Sequence, residues 1–163
     1  MKKITFILFA LIAGTTFAQE TVQGTAIVSA EIVSPISISD GASLNFGKVI
    51  SDATGGTVII APNGDRSGTA QLMAASLNPA AAASFTVNAA LDYTYNVTYN
   101  MSTLLTSGTN TMVVGTFINE LGEDARIGTG ADETMTVGAT LTVGADQAVG
   151  SYEGEVTVQV AYE

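Results

Sequence analysis

Carboxylates are the residues of this chain best placed to do chemistry, and five of them gather in one stretch. Glu120, Glu123, Asp124, Asp132 and Glu133 flank the loop around Arg126 to Gly130. Calcium takes several oxygen ligands, which makes such a cluster its candidate site, although the spacing is not that of an EF-hand loop. A solvated acidic loop with no metal centre is the simpler expectation, and these five residues are the calcium candidates. The other carboxylates sit mostly beside glycines and turns, where solvated charge belongs. Two of them would have to face each other in a cleft to work as a glycosidase pair.

Residue types remove most other chemistry. The chain has no histidine, no cysteine and no tryptophan. Ser-His-Asp and Cys-His arrangements, zinc sites with His or Cys ligands, and disulfides are therefore excluded. The Gly-rich stretches lack a following Gly-Lys-Ser/Thr, so no phosphate loop is present. No catalytic residue and no cofactor is assigned, and a non-enzymatic protein is expected. Asn96-Val97-Thr98 and Asn100-Met101-Ser102 match the N-glycosylation sequon. Both fall within an expected strand behind a bacterial-looking signal, so they read as chance matches. Tyr93, Tyr95 and Tyr99 share one strand face. They are candidates for a sugar platform, but a place in the core is the simpler expectation.

The elements that would position these residues are strands and turns throughout. Phe85, Val87, Ala89 and Leu91 alternate with Thr86, Asn88 and Ala90. Tyr93, Tyr95, Val97, Tyr99 and Met101 alternate with Thr94, Asn96, Thr98 and Asn100. Val137, Ala139, Leu141 and Val143 alternate with Gly138, Thr140 and Thr142. Period two with one apolar face is the strand signature. Val58 to Ala61 and Met112 to Ile118 are apolar on both parities, which suits burial on both faces or a place at an interface. Turn signals stand at Asp40-Gly41, Gly55-Gly56, Pro62-Asn63-Gly64-Asp65, Ser107-Gly108 and Gly128-Thr129-Gly130. Asn78 to Ala83 reads as one helical turn or a loop, and no helical period is sustained. Many short strands indicate one antiparallel sandwich or barrel.

Two alternations stand at opposite ends. Val156, Val158, Val160 and Tyr162 alternate with Thr157, Gln159 and Ala161. Near the other end, Val22, Gly24, Ala26, Val28, Ala30 and Ile32 alternate with mostly polar residues, Ile27 and Val33 excepted. Pro35 interrupts the second run, since proline cannot donate to a ladder. The expected division is an extension over 19–33 and a domain over 34–163.

Lys2 and Lys3, the apolar run Ile4 to Ala13, and the small residues of Thr16-Phe17-Ala18 read as a secretory signal peptide over 1–18. Cleavage after Ala18 would leave about 145 residues, enough for one core. It would also take the net charge from −10 to −12 and leave Lys48, Arg66 and Arg126 as the basic residues. Such a chain repels phosphate backbones and anionic membrane surfaces, so no nucleic-acid partner is expected. The signal run is too short for a membrane span, and none is expected elsewhere. The expected route is secretion, through the periplasm to the cell surface or medium.

The C-terminal stretch resembles bacterial chaperone–usher pilins and the related spore-coat-U-like secreted subunits. Those families end in an alternating strand with a penultimate tyrosine, here Tyr162, and a glycine fourteenth from the end, here Gly150. Thr21 to Val28 is similar to a pilin donor segment, and Ser43-Leu44-Asn45-Phe46-Gly47-Lys48-Val49 to their Leu-x-Phe-Gly strand. Val137 to Val143, followed by Gly150-Ser151-Tyr152, resembles an uncharacterised family of secreted pilin-like domains. The resemblance implies an all-β, immunoglobulin-like sandwich that lacks one strand. It implies a donor face of Val22, Gly24, Ala26, Val28, Ala30 and Ile32, and an acceptor strand with Gly150, Tyr152, Val156, Val158, Val160 and Tyr162. Strand addition between copies or sister subunits would then build a surface fibre or coat, with a periplasmic chaperone as a further partner. The absence of cysteine departs from the many pilins that carry a disulfide near the first strand. Two alternatives stay open: the extension folds into its own domain, or the chain is a monomeric module for carbohydrate or calcium.

Overall fold

The computed structural model describes residues 21–74, 79–100, 102–120 and 125–163. The signal stretch 1–18, the first two residues of the extension and the candidates Glu123 and Asp124 lie outside them. The chain divides into two units, Met1–Ile32 and Val33–Glu163. In the first, residues 21–32 form no strand, and Val22, Ile27, Val28 and Ile32 are 86–98% exposed.

The second unit is an all-β, sandwich-like fold of antiparallel sheets, with no helix among the described residues. Its largest sheet is built on β11 (Asp132–Val143). Met135, Val137, Ala139, Leu141 and Val143 fall on one parity of that strand and are buried. The first half of β11 pairs with β6 (Ala83–Asn88), and β6 with β1 (Ser37–Asp40). The second half pairs with β3 (Gly56–Ile60), and β3 with β4 (Arg66–Gly68). The opposite edge of β11 carries β9 (Asn110–Asn119), which pairs with β8 (Ser102–Ser107). A second sheet runs β10 (Arg126–Ile127), β7 (Thr94–Tyr99), β12 (Val158–Tyr162). A small third one joins β2 (Val49–Ile50) to β5 (Gln71–Leu72). Val58 and Ile60 of β3, Ala83 and Val87 of β6, Tyr95 of β7 and Val114 of β9 close one core with the β11 row. Full burial of each large aliphatic contributes roughly 1.5–3 kcal/mol.

Gly138 stands where β11 passes from β6 to β3. A Cβ there would collide with the carbonyl oxygen of Ile60, so only glycine lets the two strands share one edge. Opposite this point the β9 register shifts, and Thr116 takes a φ of 49°. This bulge corrects the two-parity expectation for Met112 to Ile118. Val114 faces inward before the bulge and Phe117 after it, so both are buried, while Val113 and Ile118 remain 44% and 38% exposed. An inserted residue switches the inward parity, so burial on both faces is not needed.

Other boundaries differ from the alternation. β6 stops at Asn88 rather than running on to Leu91, and Leu91 is exposed. The cause is a tight turn: Asp92 has a φ of 65°, and the Asp92 N–H donates to the Gly128 carbonyl at 2.9 Å. The segment 79–82 forms a loop rather than a helical turn, and Ala81 bridges to Asn45.

Candidate functional site

The alternation of the last residues leads to the site. Val156, Val158, Val160 and Tyr162 are half-buried against the core, and Thr157, Gln159 and Ala161 are exposed. One edge of this stretch is satisfied along its length. β12 pairs with β7 from Val158↔Tyr99 to Tyr162↔Tyr95. Upstream, the Thr106 N–H donates to the Glu153 carbonyl at 2.8 Å, and the Asn100 N–H to the Thr157 carbonyl at 3.3 Å. Thr103 Oγ1 donates to the Glu155 carbonyl at 2.6 Å. Close approach to β8 explains Gly154, since a Cβ there would press on the Leu104 carbonyl. The other edge of β12 has no strand partner among the described residues.

Beside that edge, toward Gly150, lies a cavity of about 670 Å³. Its walls are residues 44–49 on one side and 147–154 on the other, and its floor is Leu105, Met112, Leu141 and Val143. Residues 44–50 have several partners, among them Arg66 Nη1, which donates to the Phe46 carbonyl at 3.4 Å. Asn45 bonds Ala81 in both directions, at 2.8 and 2.9 Å, and β2 pairs with β5. Two chain segments thus flank an apolar floor. Phe46 is buried and Leu44 and Val49 half-buried on the first wall.

The far end of the cavity is held by turns. Ser51 Oγ donates to the Gln147 carbonyl at 2.7 Å, and the Asp146 N–H to the Asp52 carbonyl at 2.7 Å. The Asp52 carboxylate accepts from the Thr54 hydroxyl and from the N–H groups of Thr54 and Gly55, at 2.8, 2.9 and 2.7 Å. These bonds, the Thr54 hydroxyl first, hold its pKa below the ordinary aspartate value. Tyr152 closes the 147–152 turn, donating to the Ala148 carbonyl at 2.7 Å and accepting from Gln147 Nε2 at 2.8 Å. Gly150 lies against Ser107 Oγ.

The opposite end is closed by Tyr162. Its hydroxyl accepts the Ala90 N–H at 2.7 Å and donates to the Ser34 carbonyl at 3.0 Å. Its ring lies 5.9 Å from that of Tyr93. There β1 and β12 bring Cα atoms within 8 Å of one another.

Of the expected acceptor residues, Gly150 and Tyr152 line the cavity, whereas Val156, Val158, Val160 and Tyr162 pack against the core further along the chain. The floor residues Leu105, Met112, Leu141 and Val143 were not anticipated as site residues, and Leu44 and Phe46 only as part of a motif. Parity shows which way each side chain points, but not which strands face each other. The donor residues Val22, Gly24, Ala26, Val28, Ala30 and Ile32 all lie in the exposed segment of the first unit.

Two of the carboxylate candidates have ordinary partners. Glu120 accepts from the Thr136 N–H and hydroxyl at 3.3 and 2.9 Å, and Asp132 from Asn88 Nδ2 at 2.7 Å. No group of three or more His, Cys, Asp or Glu able to hold a metal occurs among the described residues. The tyrosines form no platform: Tyr95 is fully buried, and Tyr99 stacks on Phe117 at 6.2 Å. No helix among the described residues is long and apolar enough to cross a membrane.

No curated protein and no solved structure matches the chain. Residues 36–162, from the residue before β1 to the last residue of β12, match a family described as a domain of unknown function, DUF4402. The chain belongs to that family.

Proposed function

We propose that this protein is a non-enzymatic, secreted structural subunit of a bacterial surface fibre or coat, assembled by strand addition. The observation that carries this is the strand edge of β12 left without a partner among the described residues, beside a cavity with an apolar floor between residues 44–49 and 147–154. An immunoglobulin-like sandwich that lacks a strand has this form. A strand placed there gains main-chain hydrogen bonds and buries alternate side chains. The chain also carries an exposed segment of matching period, residues 22–32. Burial of Val28 or Ile32 would contribute roughly 1.5–3 kcal/mol each. Donation from copy to copy does not close on itself, so it yields a filament. A sister subunit or a periplasmic chaperone can occupy the same groove in transit.

Size-exclusion chromatography and electron microscopy of the processed protein test this. Filaments or a ladder of oligomers are expected. A monomer at high concentration, indifferent to deletion of residues 19–33, would overturn the proposal. The alternative, a binding module, has a cavity of ligand-binding size in its favour. Its calcium form predicts a melting temperature that responds to calcium and to EDTA.

A further inference from the structure

Two buried donors inside the second unit have no acceptor. The Tyr95 hydroxyl and Arg126 Nε are both shut off from solvent, and neither makes a hydrogen bond. We propose that Tyr95, Arg126 and Asn119 form a binding site for a halide-sized monovalent anion. This does not rest on the strand-addition reading above.

Strand register brings the three residues together. Arg126 of β10 and Tyr95 of β7 stand directly opposite in an antiparallel ladder. Facing residues carry their Cβ atoms about 4.5–5.5 Å apart on one side of a sheet. Tyr95 points into the core, so Arg126 is directed inward beside it. Asn119 is the last residue of β9 in the large sheet, and it is buried. Its Oδ1 accepts from Arg126 Nη2 at 3.4 Å, and its Nδ2 donates to the Tyr99 hydroxyl at 2.6 Å. Both sheets thus contribute to the site.

Charge and donor count favour an anion. A guanidinium has five N–H donors, no acceptor, and a charge it keeps at any ordinary pH. Burying part of it without a counter-charge is costly. Among the described residues its bonded acceptor is Asn119 Oδ1, at a distance beyond the usual range of about 2.7–3.2 Å. Glu120, next to Asn119 in the chain, directs both carboxylate oxygens at Thr136. A buried water could accept from Tyr95 and Nε, but it brings two protons that need acceptors of their own. A halide accepts from Tyr95 and the guanidinium without adding a donor, and it neutralises the charge. Both donor atoms are enclosed, which limits the ligand to one atom or little more. The net charge of −10 repels anions from the surface at large, so a response to halide would report the local donors.

The test follows the thermal midpoint of the processed chain at fixed ionic strength, with sodium gluconate replaced stepwise by sodium chloride. For wild type the midpoint should be flat at low chloride and then rise with its logarithm, as for a ligand held by the folded state alone. Arg126→Gln removes the charge and should raise the half-saturating chloride concentration about tenfold or more. Tyr95→Phe removes one donor. In gluconate its midpoint should match or exceed that of wild type, and its gain from chloride should be smaller; a purely structural hydroxyl would not give that split. A second readout needs no variant: wild-type crystals soaked in sodium bromide should show an anomalous bromide peak beside Tyr95 Oη and Arg126 Nε. The inference is overturned if the wild-type midpoint ignores chloride, or if both variants respond as wild type does, which is general screening only. It is equally overturned if the soaked crystals hold a water, or no bromide, at these atoms.

Discussion

The Tyr162 hydroxyl donates to the carbonyl of Ser34, 128 residues away in sequence, at 3.0 Å. The same oxygen accepts the Ala90 N–H at 2.7 Å. One side chain at the end of β12 thus ties the approach to β1 to the turn after β6, and it sets where the groove closes. Tyr162→Phe removes both bonds and leaves the Ala90 N–H without a partner. A loss of about 1–2 kcal/mol is expected. It should be read as a lower denaturant midpoint at unchanged m.

Val28 and Ile32 are exposed in the single chain, at 93% and 98%. Val28→Asp/Ile32→Asp should therefore leave the melting temperature of a dilute sample unchanged while abolishing assembly. A synthetic peptide of residues 21–33 should then stabilise that variant by about 2.7 kcal/mol at 100 times its dissociation constant. Assembly at wild-type mass by the variant would count against residues 22–32 as the donor.

Gly138→Ala places a methyl group against the Ile60 carbonyl at the point where β11 changes partner. Backbone must move to admit it, with an expected loss of about 1–3 kcal/mol. Thr140→Ala, two residues on in the same strand, should cost much less. Equal effects in thermal melts would argue that the close approach at Gly138 is unimportant.

Asp52 is a carboxylate whose folded pKa lies below its ordinary value of 3.8, chiefly through the Thr54 hydroxyl. The stability it contributes is fully present above that value and is lost as pH falls through the lower folded pKa. Urea midpoints should thus fall below about pH 4 for wild type more than for Asp52→Asn. A steeper fall in the variant would contradict this assignment.

Tyr95 is fully buried, and its hydroxyl has no hydrogen-bond partner. A buried donor left unsatisfied costs about 1–3 kcal/mol. Tyr95→Phe is therefore expected to leave the melting temperature unchanged or raise it. A large drop would mean that the hydroxyl is bonded in solution, for example to a water shared with Arg126 Nε, which is also buried without a partner.

Much of this was legible from residue order. The inward row of β11, the alternating burial of Val156, Val158, Val160 and Tyr162, and the turns at Gly55, Gly64 and Gly108 follow from period two and from glycine φ angles. The β9 bulge was not legible. Two parities of apolar residues from Met112 to Ile118 fit double burial as well as a parity switch, and only pairing with β11 separates them. The cavity floor was equally hidden. Leu105, Met112, Leu141 and Val143 come from three strands, and no local pattern says that they meet.

The sequence by itself determined an all-β chain without histidine or cysteine, with one apolar face on each strand and an alternating segment at either end. Side-chain direction along a strand is set by the local backbone, so it can be read residue by residue. Only the tertiary structure decided which edges are paired. Tertiary contacts join residues as far apart as Ser34 and Tyr162, and they leave β12 at the edge of its sheet with a cavity between 44–49 and 147–154. The open edge is what remains after the other strands have found partners, and that remainder is a property of the whole fold.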